Sequence, residues 1–194
     1  MADLSDIITS KVRIKVLRLF FANPTEMYHV RGVVREVGEE INAVRRELER
    51  LEKAGILKKE ARGNRIYYWV RIDYSMFGDL VSMVAKSTGL GFQILSNKSK
   101  LGKIAFAMFS GRFVRYKKRK RDEDVDILIV GEVTMPELAA VIRAEEARRN
   151  VEINYTVMSK EEFEFRKKRR DPFVQSILLG SRVMLIGDEE DLVS

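Results

Sequence analysis

The sequence contains no cysteine and only one histidine. Without cysteine there is no disulfide framework, and zinc or any other metal held by thiolates is excluded. One imidazole is too few for a histidine-based metal site within one chain. Also missing is any run of eighteen apolar residues: the densest, Ile104 to Phe109, is far too short to cross a bilayer. The opening Met-Ala-Asp-Leu-Ser-Asp is acidic and lacks the basic-then-apolar layout of a signal peptide. No internal repeat is found. These absences lead to the expectation of a cytoplasmic protein with no membrane partner, whose only plausible metal is magnesium on carboxylates.

What is present is charge, unevenly spread. Residues 1–97 carry 16 basic and 12 acidic side chains, a net +4; residues 98–121 carry 10 basic and none acidic; residues 122–194 carry 10 basic and 17 acidic, a net −7. A basic block between milder regions fits either a polyanion partner or a solvated loop balanced by the acidic remainder. The hydrophobic fraction of 45% supports a buried core, and the charged fraction of 34% suits a heat-adapted source.

Apolar spacing predicts a helix over Ser10 to Phe21, stopped by Asn23-Pro24, a second over Val30 to Val37 closed by Gly38, and a third over Ile41 to Lys53 closed by Gly55. Leu57 to Ala61 and Ile66 to Arg71 read as strands joined by Arg62-Gly63-Asn64-Arg65, where glycine and asparagine are expected to supply positive φ. Tyr74 to Ser87 returns to helical spacing. Thr88 to Asn97, with two glycines, reads as a linker, giving an expected division into 1–90, a linker over 91–97, and 98–194. Beyond it, strands are expected at Ile104 to Phe109, Val125 to Val130, Val151 to Met158 and Arg182 to Ile186. Capping boxes at Thr134/Glu137 and Ser159/Glu162 and the pair Asp171-Pro172 open the intervening helices.

The third helix has an apolar face of Ile41, Val44, Leu48 and Leu51. At about 100° per residue, its opposite face carries Asn42, Arg46, Glu49 and Lys53, flanked by Arg45 and Arg50. Long donors placed so suit base edges in a major groove, with Arg45 and Arg46 for guanine and Asn42 for adenine. The alternative is a surface helix laced by i,i+4 contacts such as Arg45–Glu49. Arg62, Asn64 and Arg65 around the hairpin tip suit a minor groove or phosphates.

The run VRRELERLEKAGILKKEARGNRIYYWV resembles the recognition helix and wing of ArsR- and MarR-like winged helix-turn-helix transcriptional regulators, archaeal and bacterial, over roughly Ser10 to Ser87. The resemblance implies a homodimer on double-stranded DNA. It implies base reading by Asn42, Arg45, Arg46 and Glu49, with Arg62 and Arg65 on the wing. Metal sensing does not carry over without cysteine. His29, at the start of the second helix, reads as a cap or packed residue rather than a ligand. Met76, Phe77, Leu80, Val81 and Val84 are expected to pack between subunits or onto the next domain.

The chemical-looking motif is Asp122-Glu123-Asp124-Val125-Asp126 running into an apolar strand. On one strand, Asp124 and Asp126 would face the same side about 6–7 Å apart, as suits carboxylates sharing magnesium. The alternative is an acidic lead-in that ion-pairs with the preceding basic run. The order of apolar strand, Ser110-Gly111, twelve residues and Asp124-Val125-Asp126 resembles the minimal nucleotidyltransferases of the DNA polymerase β superfamily, over about residues 98–187. That likeness implies triphosphate contacts at Ser110 and Gly111 and Mg2+ on Asp124 and Asp126. Two departures stand out: the turn reads Ser-Gly, and Asn154 sits where the third carboxylate belongs, with Glu152 as a poorly placed substitute. In the spacer, Arg112, Arg115, Lys117, Lys118, Arg119, Lys120 and Arg121 with Phe113 and Tyr116 suit nucleic-acid contact by charge and stacking.

The expected fold is therefore α+β, an N-terminal winged helix-turn-helix followed by a nucleotidyltransferase-like α/β domain. The leading expectation is a transcriptional regulator whose second domain binds nucleotide or nucleic acid without full catalytic equipment. The competing one is an active Mg2+-dependent nucleotidyltransferase targeted by its winged helix, with Asp124, Asp126 and Glu152 as catalytic residues. A third is an accessory protein that binds DNA without sequence preference.

Overall fold

The computed structural model describes residues 4–121 and 124–194. Asp122 and Glu123 of the acidic motif lie outside the described residues. The chain is mixed α+β with two sheets and divides into units 1–87 and 88–194. No helix among the described residues is long and apolar enough to cross a membrane.

The first unit is built on local stop and start signals. Helix α1 (Lys11–Ala22) begins where Ser10 Oγ accepts the Arg13 N–H at 3.3 Å. It buries Ile14, Val16, Leu17, Phe20 and Phe21. A two-residue strand, β1 (Tyr28–His29), follows; nothing in the apolar pattern announced it. Helix α2 (Val30–Val37) is capped by His29, whose Nδ1 accepts the Gly32 N–H at 3.0 Å, and it ends on Gly38 at φ 63°. Helix α3 (Ile41–Lys53) is capped by the Glu40 carboxylate on the Ala43 N–H at 2.9 Å.

Strands β2 (Leu57–Arg62) and β3 (Arg65–Val70) pair antiparallel out to Arg62 opposite Arg65, so the turn is only Gly63-Asn64. Positive φ falls on Gly63 alone, at 59°, which corrects the share expected of Asn64. The sheet order is β1-β3-β2. Helix α4 (Phe77–Ser87) starts later than expected, because residues 74–76 form a turn with the Phe77 N–H on the Tyr74 carbonyl. Phe77, Val81 and Val84 are buried, and the Phe77 ring lies 6.0 Å from Phe21 of α1. Much of this helix's apolar face therefore serves the chain's own core, and Met76 stays exposed.

In the second unit the stretch expected as a linker is helix α5 (Gly89–Ser96), followed by α6 (Lys98–Leu101). The glycines suggested flexibility, but Leu90, Ile94 and Leu101 are buried and supply the hydrophobic reason for the helix. Then come β4 (Gly102–Ser110), α7 (Gly111–Val114), β5 (Ile127–Val133), α8 (Met135–Arg149), β6 (Tyr155–Met158), α9 (Lys160–Lys168), α10 (Pro172–Leu178), β7 (Arg182–Ile186) and α11 (Glu189–Val193). The sheet order is β6-β5-β4-β7, with β5 and β6 parallel and the other pairs antiparallel.

Phe106, Met108, Leu128 and Val130 on one sheet face meet Phe163 of α9, Val174 and Ile177 of α10 and Leu192 of α11. Gly131 sits at φ 146° where the β4–β5 register shifts, and a side chain there would run into the Lys103 carbonyl. Of the two expected capping boxes, Ser159 Oγ accepts the Glu162 N–H at 3.1 Å, but Thr134 makes no side-chain cap bond. There Pro136 starts the helix by its fixed φ instead.

Candidate nucleic-acid interface and second-unit cavity

One side of α3 is held by charge as well as by apolar contact. Glu47, 7% exposed, accepts from Arg13 of α1 through Nε at 2.5 Å and Nη2 at 3.4 Å. That hydrogen bond raises the Arg13 pKa. The Glu47 side of α3 thus faces α1, which leaves Asn42, Arg45, Arg46, Glu49, Arg50 and Lys53 exposed. Among the described residues none of those four cations forms an ion pair, so the Arg45–Glu49 contact of the surface-helix alternative is not made.

Arg62, Asn64 and Arg65 are exposed around the hairpin tip. Arg62 is engaged locally, donating to Glu60 at 2.8 and 3.0 Å and lying 5.6 Å from the Tyr67 ring centre. Between α3, the start of α2 and the hairpin lies a cleft of about 500 Å³ whose walls include Arg31, Arg45, Asn64 and Arg65. Arg31 was missed in the sequence. Its signal was a cation two residues after the His29 cap, on a helix whose apolar positions face elsewhere.

The second unit holds a cavity of about 580 Å³. Of the expected residues, Ser110, Gly111, Arg112, Arg119, Lys120, Arg121 and Asp124 line it. Ser110 Oγ accepts the Phe113 N–H at 3.2 Å, and the Gly111 N–H donates to the Ser181 carbonyl at 2.6 Å. Both groups expected to meet a triphosphate therefore already have protein partners.

Asp124 and Asp126 precede β5 rather than lying on it, which corrects the strand placement. Residue pairing starts at Ile127, opposite Phe109 and Tyr155, while Asp126 is tied to the strand ends by its N–H, which donates to the Asn154 carbonyl, and by its carbonyl, which accepts the Ser110 N–H. Asp124 Oδ2 accepts the N–H groups of Lys120 and Arg121 at 3.0 and 3.2 Å, and Oδ1 meets Arg121 Nε at 3.2 Å. Burial pushes Asp124 up, but the hydrogen bonds from Arg121 and Lys120 outweigh it and hold the carboxyl below its usual range. Asp126 is 6% exposed, and burial holds its pKa above the usual value. The Asn154 N–H at 3.0 Å and Arg119 at 3.5 Å offset this only in part.

Asn154 Nδ2 donates to the Asp124 carbonyl at 3.1 Å, so the residue in the third-carboxylate position braces the loop. Glu152 is exposed, and its backbone carbonyl takes Arg119 Nη2 at 2.9 Å. It lies before β6, not on a strand with Asn154 as expected. Among the described residues no three His, Cys, Asp or Glu side chains are grouped to hold a metal ion. Among the described residues the two carboxylates of Asp124 and Asp126 stand here, with guanidinium and backbone amide partners on Asp124 and on Asp126 Oδ2.

The basic loop differs from expectation at its aromatics. The Arg149 guanidinium of α8 lies 4.4 Å from the ring centres of both Phe113 and Tyr116. Both rings hold a cation of the same unit, with Phe113 buried and Tyr116 half-buried. Arg112 folds back on the Lys118 carbonyl, at 2.5 and 2.8 Å. Lys117, Lys118, Lys120 and Arg121 are exposed, whereas Arg115 and Arg119 are half-buried.

Glu145 anchors this grip. It is 5% exposed and accepts from Arg148 Nη2 at 2.6 Å and Arg149 Nε at 2.5 Å. Burial pushes its pKa up, yet the two arginines outweigh burial and depress it. A depressed folded-state pKa means stability that is present above the unfolded carboxyl value and lost as pH falls through the folded one. Glu145→Gln is expected to lower stability at neutral pH by about 2 kcal/mol, the worth of a hydrogen bond to a charged group. The deficit should shrink in acid, and parallel urea titrations of the two proteins across pH check it; a deficit that persists unchanged in acid contradicts the ionic origin.

No family model, no curated protein and no solved structure matches this chain.

Proposed function

We propose that this chain is a DNA-binding transcriptional regulator. The first unit acts as a winged helix with α3 as recognition helix and the β2–β3 turn as wing. The second unit is a nucleotidyltransferase-like module that binds nucleotide without transferring it. The observation that carries the reading is the exposed face of α3, whose Arg45, Arg46, Arg50 and Lys53 are without ion pairs among the described residues. Exposed cations beside a cleft bearing Arg31 and Arg65 offer charge to phosphates, while Asn42 and the helix arginines offer donors to base edges. A homodimer on a near-palindromic operator belongs to this reading.

The test is selection from random duplexes followed by footprinting. A protected palindrome is the expected result, with affinity falling steeply as salt rises. Uniform protection of all duplexes supports sequence-independent binding instead, and no binding at low salt ends the proposal.

The competing enzyme reading has one observation in its favour, an Asp pair beside a cavity at the end of a mixed sheet with β5 and β6 parallel. Incubation with labelled nucleoside triphosphates and magnesium separates the two readings. Transfer of label that is lost in Asp126→Ala favours the enzyme.

A further inference from the structure

Helix α2 carries a cation at the end where a helix repels one. Arg31 is its second residue, the first turn holds no acidic side chain, and Arg31 forms no ion pair among the described residues. Free N–H groups and the macrodipole make a helix N-terminus positive, so an arginine there costs stability. The side chain is exposed and lines the cleft shared with Arg45 and Arg65. Stability does not account for its place; an anion in the cleft does.

What holds the start of α2 is His29. Its Nδ1 accepts the Gly32 N–H at 3.0 Å, and this bond closes a loop that contains only Val30 and Arg31. The imidazole is half-buried and meets the Tyr67 ring edge-on, centres 5.7 Å apart, and the two residues also pair across β1 and β3. His29 therefore ties the first turn of α2 to the strand that leaves the wing. Only a neutral imidazole can make the cap, because a protonated ring has two N–H donors and no acceptor. Among the described residues, the other charged and titratable groups on the cleft are Arg31 of α2, Arg45 and Glu49 of α3, and Arg65 and Tyr68 of β3. An imidazolium would stand among three arginines and one carboxylate, at the positive end of α2.

We propose that His29 is a positioning residue for DNA binding: its neutral ring fixes Arg31 for a backbone phosphate, and a proton on the ring releases it. The proposal rests on the reading of the first unit as a winged helix on DNA and adds a pH dependence with a definite sign. Charge counting alone gives the opposite sign, since one more cation in the cleft strengthens binding to a polyanion as pH falls. Loss of the cap weakens it.

Fluorescence anisotropy of the full chain on a duplex selected from a random pool tests it, at fixed salt from about pH 8 to about pH 5.5, across the imidazole range. If selection yields no preferred sequence, a random duplex serves, because phosphate contacts carry no sequence information. The unmodified chain is expected to lose about fivefold in affinity as pH falls, the usual worth of a helix cap. His29→Asn caps without titrating, so it should match the parent within about twofold in the alkaline buffer and stay level in acid. His29→Ala should be about fivefold weaker throughout and equally level. Arg31→Ala removes what the cap positions, so its acid loss should shrink below about twofold. Binding that strengthens in acid, or does not change, overturns the proposal and leaves the DNA reading standing. An acid loss that persists at full size in His29→Asn or in Arg31→Ala overturns it too. If His29→Ala fails to fold, the profiles of the parent and His29→Asn decide alone. No duplex binding at any pH overturns both.

Discussion

Arg45→Ala/Arg46→Ala/Arg50→Ala is expected to bind its operator at least a hundredfold more weakly than the unmodified chain, with no change in melting temperature. All three side chains are exposed, and none is ion-paired among the described residues. Nothing in the first unit's core depends on them. A bidentate base contact is worth about 1–3 kcal/mol, so even the low end of three such losses reaches about a hundredfold in affinity. The single variants sort the roles. If Arg46 meets a guanine edge, Arg46→Ala relaxes preference at one position. If it meets phosphate, every duplex is weakened alike and the salt dependence becomes shallower. Fluorescence anisotropy against selected and scrambled duplexes measures both, and a triple variant that binds like the parent removes α3 from the interface.

The second large effect falls on stability. Glu47→Ala is expected to cost roughly 3 kcal/mol, the low end for breaking a buried ion pair, because Arg13 is itself 29% exposed and can partly rehydrate. In a unit of this size that corresponds to a melting temperature lower by about 10–20 °C. The cost arises because Arg13 loses its bidentate partner at 2.5 and 3.4 Å and α3 loses its ionic tie to α1. Replacing both partners separates ionic from packing effects. Arg13→Met/Glu47→Leu should recover most of the stability, since matched apolar groups often equal a buried pair. Differential scanning calorimetry of the three proteins checks this. An unchanged midpoint in Glu47→Ala would show that the pair contributes nothing net.

The elements of the first unit were legible because each boundary carries its own local signal: Ser10 at a start, Pro24 after a stop, and Gly38, Gly55 and Gly63 where the backbone turns left-handed. What escaped depends on tertiary contact. Strand β1 is two residues long, too short for any period to show. Glu47 lies within the arc of Val44, Leu48 and Leu51, so its spacing marked it as inward-facing, but a charge at that position reads as surface until Arg13 is placed beside it. The supposed linker failed the other way, because Gly89 and Gly91 outweighed Leu90 and Ile94, whose burial decides the matter.

In the second unit the strand order of apolar runs was readable, and most candidate site residues do gather at one cavity. Which of them already have partners was not. Sequence gives the residue types Asp124, Asp126, Arg119 and Arg121, but only the fold sets the guanidinium groups on the carboxylates. Likewise, Phe113 and Tyr116 look like stacking residues until Arg149, more than thirty positions on, is found between them.

The contact between Gly111 and Ser181 has a thermodynamic meaning of its own. Gly111, at the start of α7, and Ser181, just before β7, both line the cavity and meet so closely that any side chain at position 111 would collide with Ser181. A main-chain hydrogen bond joins them, so the spacing of this part of the wall does not depend on mobile side chains. Backbone held in this way has little conformational freedom left to lose in any association at that wall.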